Sequence, residues 1–470
     1  MNTIVVLRVQ LLLISFLCFS CGSTNQFIQK DQGKRIDEFV RSLIQERRLN
    51  MNLGMKIVSL VNGKTLYELN SEKLMIPASN IKLFTAAASL HYFNKEHLFK
   101  TAILEKGNNI ILVGGGDAEL SLAVIDSLSK LVSKRTSQVD TLFIDKGLFD
   151  DLHYGEGWMW DEGAWWYAAP ISALSVNDNC IDFYVGPGKK GDRAAINYFP
   201  KTSYIDFNNE SVTVQDSVGS KLKIDRNWVS NKNNFHAYGE IIDTSDVDTL
   251  YRNIYDPSTF TGTIFRESLE NYGTRVKNIS KKKTSKQRYK NISTHLSKPL
   301  LHSAVNLMNE SDNLTAELFV KSIGAMDTIP GTWDTGLDSI KSFLAEKVLI
   351  DTANIRLADG SGVSRYNLTN SAQLNSLLKW MYNSEYKDDF ISTLPGGGWK
   401  NSTLKKRLTN EGDLVRAKTG GLSGVRNLAG YIKSKKYGDV AFSILMNGYT
   451  DYSSRYARVH DQIVKTIIYD

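Results

Sequence analysis

The sequence predicts an α+β chain: an antiparallel sheet flanked by helices and assembled from both ends of the chain, with a large, mostly β insertion between them. Three observations carry this reading. A helical pattern followed by a hairpin opens the folded part. A hairpin followed by a helical pattern closes it. Between them, from about 101 to 284, the texture changes to short alternating runs punctuated by Gly and Asn. The 470 residues, 42% hydrophobic and 23% charged, supply ample core. At roughly 100–200 residues per domain they imply two or three domains and exclude a disordered or collagen-like chain.

The first segment, MNTIVVLRVQLLLISFLCFSC, carries one cation, Arg8, no acid, and an apolar run of 12 residues from Val9 to Ser20. That is short of the roughly 20 residues a membrane-spanning helix needs, so residues 1–20 read as a secretory signal. The run ends at Cys18-Phe19-Ser20-Cys21-Gly22, which is similar to a bacterial lipoprotein box. Cys21 is the expected lipidation site and residues 21–33 a polar tether, so the expected location is periplasmic, on a membrane, through an N-terminal lipid anchor. Only Cys180 lies beyond residue 21, which excludes a disulfide framework and leaves one buried thiol.

From residue 34 to about 100 runs the first part of the sheet domain. Ile36, Phe39, Val40, Leu43 and Ile44 fall on one helical face. MKIVSLVNGKTLYELN then gives two alternating runs joined by Asn62-Gly63, a strong hairpin signal. In the 101–284 insertion, expected as two subdomains, NNIILVGGGD, VDTLFID, CIDFYVGPG, SVTVQD and KLKID read as strands and TGTIFRESLENYG as a helix. From 285 to 470 the chain turns helical, then gives the strands NLAGYIKS and DVAFSILMN. A last helix follows, with Tyr456, Val459, Ile463 and Ile467 on one stripe.

Three short motifs carry chemistry. Ser79-Asn80-Ile81-Lys82 opens an apolar helical run. Serine and lysine at i and i+3 share a helix face, and the dipole of the helix start lowers the lysine's proton affinity, so that it can act as base on the serine. Alone the spacing says little, since Ser127/Lys130, Ser280/Lys283 and Ser402/Lys405 repeat it. Ser311-Asp312-Asn313 reads as a helix cap or turn, and Lys418-Thr419-Gly420 as a strand end, when each is taken singly.

Together and in this order, SxxK, SDN and KTG are the motif set of the penicillin-binding proteins and serine β-lactamases. The 232 residues from Ser79 to Ser311 leave room for an inserted module. In this the chain resembles the class C low-molecular-mass penicillin-binding proteins, the D-alanyl-D-alanine carboxypeptidase/endopeptidase family. GGGDAEL, YAAPISALSVNDN, LADGSGVSRYN and LPGGGWKNSTLKKR agree with that resemblance, while Ala118 and Trp399 depart from it. It runs from about residue 35 to the end.

The resemblance implies a serine β-lactamase/DD-peptidase-like fold and peptidoglycan stem peptides and β-lactams as the partners of the site, with no cofactor and no metal. Ser79 is the nucleophile and Lys82 its base. Ser311, placed between Lys82 and Lys418, relays a proton, and Asn313 holds the substrate amide. The backbone N–H groups of Ser79 and Gly421 form the oxyanion hole. Lys418, Thr419 and Gly420 meet the terminal carboxylate. Glu162 and Arg365 are charged correctly for the ammonium and carboxylate of a diaminopimelate-type side chain, with Asp161 a rival to Glu162. Asp359, Gly360 and Ser361 read as a tight turn.

Other chemistries lose support. There is no HExxH and no GxSxG, Gly63-Lys64-Thr65 lacks the glycine of a phosphate loop, and Glu267 lies in a helical run ahead of SDN. A β-lactamase on the same scaffold and a non-catalytic wall-binding lipoprotein are the alternatives. The net charge of +7 is local: nine Lys/Arg and no acid lie between Arg275 and Lys298. That run reads as a solvated connector where the insertion rejoins the sheet domain, and no nucleic-acid partner is expected.

Overall fold

A computed structural model describes residues 35–216, 219–281 and 289–469. The expected signal, Cys21 and the whole tether lie outside the described residues. A five-stranded antiparallel sheet runs, in spatial order, Val415–Leu422, Val425–Ser434, Gly438–Asn447, Asn52–Ser59 and Thr65–Leu69. The expected assembly from both ends is therefore present: Asn52–Ser59 pairs along its whole length with Gly438–Asn447. The tight turn at Asn62-Gly63 uses a positive φ at Gly63 and an Asn62 Oδ1 that accepts from the Lys64 N–H.

The sheet separates two cores because strand side chains alternate between faces. Leu428, Ile432, Phe442, Ile444 and Met446 point to one side, where Ile36, Val40 and Leu43 of the helix at 35–46 and Val459, Ile463 and Ile467 of Ser453–Tyr469 cover them. Ala429, Tyr431, Ala441 and Leu445 point to the other, against a helical layer that includes Lys82–Phe93, Leu300–Asn309, Asn313–Asp327 and Ser371–Asn383. Every residue of Lys82–Phe93 is buried except His91 and Tyr92, which explains its mostly apolar sequence: it is the central helix of that layer.

The insertion holds a mixed five-stranded sheet, ordered Arg275–Lys281, Gln138–Asp145, Asn109–Val113, Lys100–Lys106 and Lys290–Leu296, and three smaller sheets. One apolar cluster joins them, with Ile144, Leu142 and Phe260 from the larger part and Phe183, Ile224 and Phe235 from the smaller. Two expectations change. A helix, Leu122–Ser133, capped by Ser121, stands where only strand and turn were read. The basic run is not a free connector. Its two described stretches, Arg275–Lys281 and Lys290–Leu296, are the opposite outer strands of the insertion's sheet, so that sheet extends to Leu296, past the expected return at 285. Cys180 is buried and, among the described residues, unpaired.

Candidate active site

Ser79 sits in a single 3-10 turn, Ala78–Ile81, that leads into the helix Lys82–Phe93. The sheet fixes the approach to that turn. Asn427, fully buried on the second strand, donates to the carbonyls of Ile76 (3.0 Å) and Pro77 (2.7 Å), while Asn447 Oδ1 accepts from the Ile76 N–H at 2.7 Å. Gly362, at φ +87°, closes on the turn from the other side. A Cβ there would lie 2.0 Å from the Ala78 carbonyl oxygen, so only glycine fits.

Lys82 has no solvent exposure, and its ammonium has three acceptors for its three N–H groups: Ser79 Oγ at 3.2 Å, Asn313 Oδ1 at 2.5 Å and the Ser361 carbonyl at 2.6 Å. Burial pushes its pKa down to about 8, against the opposing pull of Asp359, Asp312 and Glu317. Once neutral, the amine keeps two N–H groups for the two carbonyl oxygens and turns its lone pair to the third partner, the Ser79 hydroxyl. The geometry thus selects which neighbour gives up a proton.

Lys418, also fully buried, lies on the edge strand and donates to Ser311 Oγ at 2.8 Å and to the Thr419 carbonyl at 3.1 Å. Burial, then Lys82 and Arg426, push its pKa well below the usual lysine value. Two amines in one dry site disfavour each other's charge.

The three motifs meet, with two adjustments to the expected roles. Ser311, held at φ +65°, is hydrogen-bonded to Lys418, while the donors of Lys82 go to Ser79, Asn313 and Ser361 rather than to Ser311. Asn313, besides any contact with substrate, orients the base: its Oδ1 takes a Lys82 N–H and its Nδ2 donates to the Tyr167 carbonyl at 2.8 Å. Gly420 packs against the nucleophile turn, where a Cβ would lie 2.4 Å from Asn80 Oδ1 and 2.5 Å from the Pro77 carbonyl. Gly421 is exposed at the edge, and Thr419 is buried.

Glu162 and Arg365 fall on the rim. The Arg365 guanidinium donates to the Ser423 carbonyl at 2.9 Å, next to the turn after the edge strand. Glu162 accepts from the Tyr167 hydroxyl, whose pKa is raised by burial and then by that bond, and it lines a cavity with Arg226; Asp161 is exposed. Asp359 is a turn residue, as expected: it takes the N–H groups of Gly362 (2.7 Å) and Ser364 (2.6 Å), the Trp158 indole N–H (2.9 Å) and the Asn367 amide (2.7 Å). Glu267 bonds Ser203 on the insertion, away from the motifs.

Asn427, Asn447 and a buried acid escaped the sequence reading. Glu317, on Asn313–Asp327 and without exposure, accepts from the backbone N–H groups of Ser361 (2.8 Å) and Gly360 (3.0 Å) and from the Trp333 indole at 2.7 Å. It therefore holds the two peptide N–H groups that lead into Ser361, the residue whose carbonyl receives Lys82. Burial, then Asp359, push its carboxyl up to about 7.

A helix start and a sheet edge that face each other across a serine, with a lysine buried beneath it, make this a serine peptidase of the DD-peptidase fold. The D-Ala-D-Ala carboxypeptidase 3 (S13) family model matches residues 36–467, and the chain belongs to that family. It is 31% identical over 423 residues to the D-alanyl-D-alanine carboxypeptidase of Actinomadura sp. (strain R39), covering 84% of this chain and 78% of that one. To the D-alanyl-D-alanine carboxypeptidase DacB of Haemophilus influenzae it is 26% identical over 433 residues, covering 87% and 88%. The crystal structure of penicillin binding protein 4 (dacB) from Haemophilus influenzae superposes with a TM-score of 0.79 at 22% identity, over 92% of this chain and 99% of that one. The same protein has been solved in complex with a β-lactam. Among the described residues no helix is long and apolar enough to cross a membrane.

Proposed function

We propose that the protein cleaves the D-alanyl-D-alanine ends of peptidoglycan stem peptides, as carboxypeptidase and as endopeptidase, through an acyl-enzyme on Ser79, and that penicillins acylate the same serine. The observation that carries this is the Lys82 amine, dry, with its pKa pushed down to about 8, and 3.2 Å from Ser79 Oγ. Neutral Lys82 takes the hydroxyl proton as Ser79 Oγ bonds to the carbonyl carbon of the penultimate D-alanine. The oxyanion forms between the N–H groups of Ser79 and Gly421, donors worth about 3–4 kcal/mol each in comparable sites. The C–N bond then breaks, and the departing amine takes a proton through Ser311, which Lys418 holds. Lys418, Thr419 and Gly420 line the side where the terminal carboxylate sits, and water releases the acyl group.

If the amine belongs to a cross-linked neighbouring stem, the same step is endopeptidase chemistry, with Glu162 and Arg365 of the right charge to meet a zwitterionic side chain. Export, and anchoring through a lipid on Cys21, complete the reading; Cys21→Ser is expected to move the protein from the detergent phase to the soluble periplasmic fraction. The catalytic reading is tested by incubating the protein and its Ser79→Ala variant with a fluorescent penicillin and with a D-Ala-D-Ala pentapeptide. Stable Ser79-dependent labelling with D-alanine release supports it. Fast penicillin hydrolysis without peptide turnover identifies a β-lactamase, and absence of labelling a non-catalytic protein.

A further inference from the structure

We propose that the cleft wall around Trp160 and Trp228 is a binding site for the glycan strand of peptidoglycan, a polymer of β-linked N-acetylated hexosamines. The proposal rests on the reading above in one respect: stem peptides hang from such strands.

The tryptophans are unevenly distributed. Four of the chain's eight lie in the nine residues WMWDEGAWW, and Trp160 is 78% exposed, Trp165 and Trp166 45% each. Leaving so much indole in water is costly and marks a contact surface. Trp160 is paired with Trp228, from a turn of the insertion, with ring centroids 5.3 Å apart and planes at 41°. Gly163, at φ +60°, lets the second ring come close, since a Cβ there would lie 3.2 Å from Trp228 Nε1. Between them opens a cavity of about 330 Å³, also lined by Tyr154, Trp158, Glu162 and Arg226.

The chemistry of this cavity favours a sugar. A pyranose presents a face of C–H groups, which packs on the electron-rich face of an indole, and a rim of hydroxyl and acetamido groups that need partners. Arg226, 3% exposed, spends its Nη atoms on Asn253 Oδ1 (3.0 Å) and the Lys232 carbonyl (3.1 Å) and lies beside the Tyr154 hydroxyl, while its Nε makes no well-formed hydrogen bond among the described residues. An acetamido or lactyl oxygen supplies an acceptor. An anionic lipid surface is disfavoured, because Asp161 and Glu162 put negative charge on the rim.

The wall is also tied to the catalytic residues. Trp158 Nε1 donates to Asp359 Oδ2 at 2.9 Å, and the carbonyl of Tyr167, in the same segment, receives Asn313 Nδ2. A strand held here presents its stem to the cleft that contains Ser79.

The experiment uses Trp160→Ala/Trp228→Ala, with the double Phe variant alongside, on three probes: peptide-free glycan strands, a disaccharide-linked pentapeptide and the free pentapeptide. Two aromatic contacts of ordinary strength correspond to about a tenfold effect. The Ser79→Ala protein is expected to bind peptide-free strands, and adding the two Ala changes weakens that binding about tenfold. With Ser79 intact, kcat/KM falls by a similar factor on the disaccharide-linked substrate only, and Phe restores it. Equal losses on linked and free peptide, no affinity for peptide-free strands, or binding of the tryptophan pair to anionic vesicles instead would each overturn the proposal. Binding of strands by the Ser79→Ala protein does not depend on turnover, so failure of this proposal and failure of the peptidase reading are distinguishable.

Discussion

Replacing Glu317 by glutamine changes one buried oxygen into an NH2 group and leaves shape almost unchanged. The carboxylate now serves three N–H donors, Ser361 on Oε1 and Gly360 and Trp333 on Oε2. A glutamine has one carbonyl oxygen. Its cheaper orientation keeps Gly360 and Trp333 and sets its NH2 against the Ser361 N–H, leaving one buried donor unmatched at a cost of about 1–3 kcal/mol. That donor belongs to the residue whose carbonyl fixes Lys82, so the loss falls on the base. If it is expressed in the acylation transition state, the rate constant for penicillin falls about tenfold to a hundredfold. The charge matters separately. Glu317 holds the Lys82 pKa up against burial, so its neutralisation lets that pKa fall below about 8. Since the base works as the neutral amine, acylation rises with pH through this pKa, and in Glu317→Gln the rising limb shifts to lower pH. Second-order labelling rates from pH 5.5 to 9.5, with urea unfolding as a check on folding, measure both effects. An unchanged rate with an unchanged limb, or a limb moved to higher pH, would refute the role assigned to Glu317.

Three further outcomes follow from the same geometry. Lys82→Arg places a permanent cation where a neutral amine is needed and is expected to lower Ser79 acylation about 10²–10⁴-fold in stopped-flow labelling, with the fold retained by circular dichroism. Gly362→Ala puts a Cβ 2.0 Å from the Ala78 carbonyl at a φ of +87°, so thermal melting should show a loss of at least about 1–3 kcal/mol together with lost labelling. His460 is fully buried, neither ring nitrogen has a hydrogen-bond partner among the described residues, and burial followed by Arg407 and Arg426 pushes its pKa well below 6.5. The unfolded chain therefore binds a proton below about pH 6.5 that the folded one refuses, and stability falls by about 1.4 kcal/mol per pH unit on acidification. His460→Leu should flatten that slope in urea titrations at pH 5 and 7.5.

The sheet domain was legible because its signals are local and repeated. Alternation in NLAGYIKS and DVAFSILMN, the Asn62-Gly63 turn and the stripe on the last helix each state a face to bury. Ser79, Lys82, Ser311 and Lys418 were legible as motifs because SxxK, SDN and KTG recur in this order at a helix start, a loop and a strand. Glu317 was not. In LTAELFVKSIGA, Glu317 and Lys321 stand four apart and look like a solvated pair on a helix surface. Both are fully buried, and Lys321 reaches Asp150 at 2.5 Å and packs over Trp333 instead. Their partners lie far away in sequence, which no local pattern records. Asn427 and Asn447 escaped for the same reason: inside a strand, an asparagine that holds the nucleophile turn looks like one that faces water. The basic run misled because a row of lysines reads as solvent-exposed connector, whereas here an outer strand supplies the same exposure.

That placement has a consequence for many copies crowded on one surface. An outer strand offers unpaired backbone groups to any other strand, and the insertion's sheet has two such borders. Arg275, Lys277 and Lys281 stand exposed on one and Lys290 on the other, with Lys277 paired to Asp140 at 2.7 Å. One stretch of sequence has thus lent the same sign of charge to both borders. A neighbouring copy that approaches border to border meets cations with cations, and the sheet ends where the chain ends it.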